Sequence, residues 1–202
     1  PSEHGPIMDT LVAFVRDRVP VPLGPPVGGG RYGPPTPKQI LVPPRADVQA
    51  ALTVLGRRDR GLDPATLRIA LPAVNLSGYD LTGAELTGAD FRGSYFVNAI
   101  LANAKLRSAN LLSTHFEGAD LYGLNGQRAN FSGAACPGAR FATADLEGAD
   151  FQQADLSGAD LTRAKVTRAD LRHTVLDGAR FDEAIGLPSA RVATAEPGGS
   201  EE

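Results

Sequence analysis

The 202-residue chain has no tryptophan, one cysteine, one methionine and three histidines. Each scarcity excludes something. With only eight Phe and four Tyr beside the missing Trp, a conventional globular core would be short of large side chains. Cys136 alone cannot form an internal disulfide, so a reducing, cytoplasmic location is expected. His4, His115 and His173 lie near neither the cysteine nor one another at metal-site spacing, and all three read as solvent-facing. No apolar run approaches the roughly 18 residues of a membrane span, and no signal peptide is visible. Net charge is only −3, too small by itself to imply direct nucleic-acid binding. The chain begins at Pro1 instead of Met and reads as a processed product or a fragment. Membrane tethering, on the cytoplasmic side, would then need a missing upstream segment.

Catalytic signatures are equally sparse. The "GGG" at 28–30 lacks the strand, helix and lysine of a phosphate loop. "NLS" at 75–77 and "NFS" at 130–132 match a glycosylation pattern but fall out of a repeat described below. "RRDR" at 57–60 could touch an anion, although a solvated helix end accounts for it. No catalytic residue, cofactor site or metal site is assigned, and an enzyme is not expected.

What the chain does have is order at a distance. Residues 1–66 contain two short amphipathic segments. Met8, Leu11, Val12, Val15 and Val19 recur at helical spacing, as do Val48, Ala51, Leu52 and Leu55, with Asp47 near the start of the second and Gly56 near its end. Between them, residues 20–44 hold nine Pro and five Gly, a composition that reads as an extended linker without helix or central strand. Helices this short are marginal alone, so they must pack on each other, on the rest of the chain, or on sequence not present. Residues 188–202 are small and polar and read as a disordered tail.

From Val74 to Glu183 the sequence divides into 22 pentads without insertion or deletion. A large apolar residue stands at the centre of 20 of them, from Leu76 to Phe181, with Gly126 and Cys136 at the other two centres. Five is not the helix period, because five residues advance a helical face by about 500°, and it is not the strand period, because five is odd. A fixed unit kept in register is a solenoid. A quarter-turn per pentad would bring every central residue to one axis.

The units "ADFRG", "ANLLS", "ADLYG", "ADLEG" and "ADLSG" resemble the A(D/N)LXX pattern of the pentapeptide repeat family. That resemblance implies an all-β solenoid, a right-handed quadrilateral parallel β-helix. Here it would have about five and a half coils over 67–187 including end caps, preceded by a small α-helical element. At about 4.8 Å per coil the rod would be roughly 26 Å long. Central residues would fill the axis, and the alanine two places earlier would pack inward near a corner. Residues twenty apart would stack, as in Phe91, Leu111, Phe131, Phe151, Leu171 and in Leu76, Phe96, Phe116, Cys136, Leu156, Leu176. In "LNGQR", Leu124 would lean inward to fill the space Gly126 leaves. Leu67, Ile69 and Leu71 are candidate caps for the first coil, Ile185 and Leu187 for the last.

Function then has to come from the surface. The residue before each central one faces out, and one such column reads Asp90, Asn110, Asn130, Asp150, Asp170, the candidate interaction face. Family members that confer quinolone resistance imitate duplex DNA and occupy the DNA groove of gyrase, and a carboxylate column is what such mimicry needs. The magnitude opposes it. Residues 74–183 carry 14 acids and 10 bases, whereas about 26 Å of duplex carries about 15 charges. The N-terminal motifs resemble the region preceding the pentapeptides in bacterial proteins that carry membrane helices upstream. The resemblance therefore implies a non-catalytic scaffold for a protein partner of unknown identity, with a DNA-mimicking gyrase or topoisomerase binder as the alternative.

Overall fold

The computed structural model describes residues 4–24, 26–27, 31–32, 34–65, 67–187 and 191–192. The pentad is a corner. The carbonyl of each central residue accepts from the amide three residues on, as Leu81 O does from Ala84 N at 3.0 Å. The residue before that amide takes positive φ, +67° at Gly83, which makes the corner a type II turn. Asn98, Asn103 and even β-branched Thr143 adopt the same left-handed backbone, at φ 55°, 58° and 60°. Only glycine does so without steric cost, and this explains the glycine that ends so many pentads.

Four corners close a coil. Asn75 bridges Tyr95, Asp80 bridges Ile100, Glu85 bridges Lys105 and Asp90 bridges Asn110, all parallel and twenty residues apart, and the series runs on to Lys165 with Ile185. The chain is thus a right-handed quadrilateral parallel β-helix preceded by an α-helical element. Central residues and their alanine partners are buried from Leu76 through Leu171. The expected stacks form: Phe96 on Phe116 with ring centroids 5.0 Å apart, and Phe131 on Phe151 at 4.7 Å. Phe141 meets both Phe131 and Phe151 edge-on at 5.9 Å. Each buried Leu or Phe contributes about 1.5–3 kcal/mol before entropy. Leu124 is fully buried, and a Cβ on Gly126 would lie 3.3 Å from Leu124 Cδ2 and 3.0 Å from Leu146 Cδ2. The exchange of volumes expected in this pentad is the one found.

The N-terminal end of the solenoid is closed by helices. α1 (His4–Arg18) buries Met8, Val12 and Val15, and α3 (Ala46–Arg57) buries Val48, Ala51, Leu52 and Leu55. Both belong to one apolar cluster with Ile69, Leu71 and the first central residues. The first coil has no coil beneath it to pair its wall amides, and an open strand edge invites association. Each amide finds a substitute: Asn75 N–H donates to Val19 O, Asp80 N–H to Gln49 Oε1, Glu85 N–H to Gly56 O and Asp90 N–H to Ile69 O, at 2.7–3.0 Å. Leu67 is only partly buried against this cluster.

Residues 20–44 depart from the reading of a plain extended linker. They contain a short antiparallel pair, β1 (Pro26–Val27) with β2 (Arg31–Tyr32), and one turn of helix, α2 (Pro37–Ile40). The helix forms because Pro37 stands in its first turn, where the missing N–H costs nothing. The segment is also pinned: Pro20 bridges Val74, Ile40 is buried, and Asn75 Nδ2 donates to Ile40 O. The glycines at 28–30 lie outside the described residues.

At the other end, Leu187 packs partly against the core but Ile185 is 55% exposed. Ile185 was expected as a cap; it occupies the outward wall position that pairs with Lys165, so its side chain leaves the axis. β3 (Asp170–Leu171) pairs in parallel with β4 (Arg191–Val192). The rest of the expected tail, 188–190 and 193–202, lies outside the described residues.

Candidate interaction face

The Asp/Asn column stands on one wall, bridged in order from Asp90 through Asn110, Asn130 and Asp150 to Asp170. Every member does the same local work. Oδ1 of Asp90, Asn110, Asn130, Asp150 and Asp170 accepts from the backbone N–H two residues on, of Arg92, Leu112, Ser132, Gln152 and Arg172, at 2.9–3.3 Å. These are Asx turns, which mimic a backbone turn and fix the side chain. Asp80, Asp120, Asn125, Asp145 and Asp155 repeat the motif on other walls. The recurring Asp or Asn of the repeat is therefore turn chemistry first and surface charge second.

Little of the charge on this face is free. Arg92 binds Asp90 through Nε and Nη2 at 2.9 and 2.8 Å, and Arg172 binds Asp170 at 2.9 and 2.7 Å. The Arg92 guanidinium and N–H hold the Asp90 carboxyl below its ordinary range, against an opposing effect of burial. The hydrogen-bonded Asp170 carboxylate, with a smaller contribution from Asp150, holds Arg172 above its usual value against an opposing effect of burial. Three carboxylates against two guanidiniums leave the face close to neutral. Beside Asn110, in the second of these five coils and one coil from the Asp90–Arg92 pair, stands Leu112, 40% exposed. Sequence reading passed over Leu112; the signal was a large apolar residue just after the central leucine in "ANLLS", where polar residues usually stand.

Other walls are mixed. Lys105 pairs with Glu85, Lys165 with Asp145 and Arg140 with Asp120, each across one coil. The histidines differ from the solvent-facing expectation. His173 is exposed, but His4 Nε2 meets Asp63 Oδ1 at 2.9 Å. His115 stacks on Tyr95, centroids 4.0 Å apart, with Nδ1 3.0 Å from Glu117 Oε1. Burial, with help from Glu117, pushes the Tyr95 phenol up. Among the described residues no group of three or more His, Cys, Asp or Glu is arranged to hold a metal ion.

The chain matches the pentapeptide repeats family model, in eight copies, over residues 71–96, 99–125, 127–163 and 154–185. Among solved structures it resembles a pentapeptide repeat protein of the Arabidopsis thaliana thylakoid lumen at 34% identity, covering 48% of this chain and 68% of that one, with a TM-score of 0.47. A pentapeptide repeat protein of the cyanobacterium Cyanothece is 26% identical over 48% of this chain and 63% of its own, at a TM-score of 0.33. QnrB1, a plasmid-mediated fluoroquinolone resistance protein, is 21% identical over 57% and 62%, at 0.34. TM-scores this low carry no functional argument. No curated protein matches the chain in sequence. The matched segments begin at residue 71, and the resemblance of residues 1–66 to regions that follow membrane helices is not borne out. No helix among the described residues is long and apolar enough to cross a membrane.

Proposed function

Because this chain belongs to the pentapeptide repeat family, we propose that it is a non-catalytic scaffold that binds a protein partner. The rod is 67–187, residues 1–66 act as its cap, and the docking face is the wall of Asp90, Asn110, Asn130, Asp150 and Asp170. One observation carries the reading: the wall holds its polar side chains in fixed turns, cancels most of its own charge, and presents the exposed Leu112 among them, beside Asn110. An apolar anchor inside a polar rim is the layout of protein interfaces. A DNA mimic needs the opposite, a run of uncompensated negative charge; with Asp90 and Asp170 paired, gyrase is not the favoured partner. A cytoplasmic setting, which suits the unpaired Cys136, is part of this proposal.

The test compares Leu112→Glu with Tyr122→Glu, an exposed residue of another wall, in capture of partners from the source cell. Loss of one partner with the first substitution alone supports the face. Equal retention by both removes it. A gyrase supercoiling assay with and without a quinolone, at two salt concentrations, should show neither inhibition nor protection. An effect lost in an Asp90→Asn, Asp150→Asn, Asp170→Asn variant would reinstate the mimic.

A further inference from the structure

Where the helical cap meets the first coil there is a hollow of about 330 Å³, at the lower end of the roughly 300–1,000 Å³ of small-molecule sites. Its lining includes three arginines, Arg58, Arg60 and Arg68, and Thr87. Arg58 is held rigidly. Its side chain is 4% exposed, with Nε on Asp63 Oδ2 at 3.0 Å and Nη1 on the carbonyls of Leu55 and Glu85 at 2.6 and 2.5 Å. Asp63, the one carboxylate of the lining, is used up by this contact and by His4 on its other oxygen.

Arg60 and Arg68 have no such partner among the described residues. Five arginines of the rod, Arg92, Arg140, Arg163, Arg172 and Arg180, each find a carboxylate; among the described residues Arg107 and Arg128 do not, but Arg60 and Arg68 differ from these in lining one hollow together. With Arg58 and Asp63 cancelling, the hollow keeps two uncompensated positive charges. A buried, pre-oriented guanidinium beside two exposed arginines is a donor set for a compact dianion. Phosphate monoesters carry about −1.5 to −2 at neutral pH and offer three acceptor oxygens. Leu67 and Ile69 form an apolar part of the same lining, against which the organic part of an ester can rest.

We propose that this hollow binds a phosphate monoester, with Arg60 and Arg68 grasping the phosphate oxygens, Thr87 donating its hydroxyl and Arg58 fixing the rear of the site. The proposal is independent of the partner face, which stands on a different set of residues. It is tested on the whole chain by calorimetric titration with phenyl phosphate and, separately, with inorganic phosphate, each against chloride at matched ionic strength. Saturable binding of either is expected. Tighter binding of the ester would place its organic part against Leu67 and Ile69; equal binding would assign the site to phosphate alone. Arg60→Gln and Arg68→Gln, both at exposed positions, should each weaken binding by about tenfold or more, the cost of one charge-assisted hydrogen bond. Arg128→Gln, on the rod outside the hollow, should leave it unchanged. Absence of binding by both probes, or equal weakening by Arg128→Gln, would overturn the assignment.

Discussion

A Cβ placed on Gly56 would lie 2.8 Å from Cβ of Ala84 and 3.3 Å from its Cα. This is where the last turn of α3 lies on the first coil, and Gly56 O receives the Glu85 amide at 2.8 Å in the same contact. Two effects compete in Gly56→Ala. Helix propensity favours alanine by up to about 1 kcal/mol, whereas overpacking a tight joint costs about 1–3 kcal/mol. The contact is too short for the neighbour to yield by a small shift, so the variant should be less stable in urea unfolding. A gain in stability would show that α3 does not sit this closely on the coil.

Phe151 carries the axial packing. It is fully buried, stacked on Phe131 and met edge-on by Phe141. Phe151→Ala should cost about 3–5 kcal/mol in chemical denaturation. A loss under about 1 kcal/mol would mean the axis collapses to refill the space.

Much of this fold was legible because the pentad repeats a steric rule. Leu or Phe at the centre and Ala two places before announce an axis and a corner, and Leu124 with Gly126 could be read as a compensating pair from their positions alone. The helical cap was not legible in the same way. Nothing in "RADVQAALTVLGRRD" says that Gln49 will stand in for a missing coil or that Gly56 will touch Ala84, since both follow from tertiary contact. The candidate face was half legible. Its column was found from the period of twenty, but Asp90 and Asp170 were read as free charge although Arg92 and Arg172 stand two residues away in sequence. An Asx turn bends the chain so that residue i+2 returns beside residue i, and that is what brings each arginine onto its carboxylate. The use of Asp and Asn, with Glu85 the one acid of longer side chain in those wall positions, was the available sign of turn chemistry.

Cys136 replaces a phenylalanine or leucine in one axial stack and is fully buried. Burial pushes its thiol well above the ordinary range, and the nearby carboxylates of Glu117 and Asp155 add to the effect. A buried thiol with so little thiolate is inert. A thiol reagent at neutral pH should label it no faster than the coil opens, with the rate rising in step with denaturant. Labelling in native buffer at the rate of a free cysteine would show that the solenoid breathes at its middle.

Acid should act through the wall carboxylates, and Asp90 isolates the effect. Its folded pKa is lowered, chiefly by the Arg92 side chain and then by the Arg92 N–H, with burial opposing. The folded state thus binds fewer protons than the unfolded chain, whose value is about 3.9. The stabilisation is present above that value and is lost as pH falls through the lower folded one. Asp90→Asn removes the titration but can keep the turn, as Asn110 and Asn130 do with the amides of Leu112 and Ser132. Its melting temperature should therefore fall less steeply than wild type between pH 5 and pH 2. Asp90→Ala removes the turn as well, and should lose about 0.5–1.5 kcal/mol at pH 7. If Asn and Ala behave alike at pH 7, the Asx turn contributes nothing there and Asp90 acts through Arg92 alone; if all three chains share one acid slope, the pairing with Arg92 contributes no stability in solution.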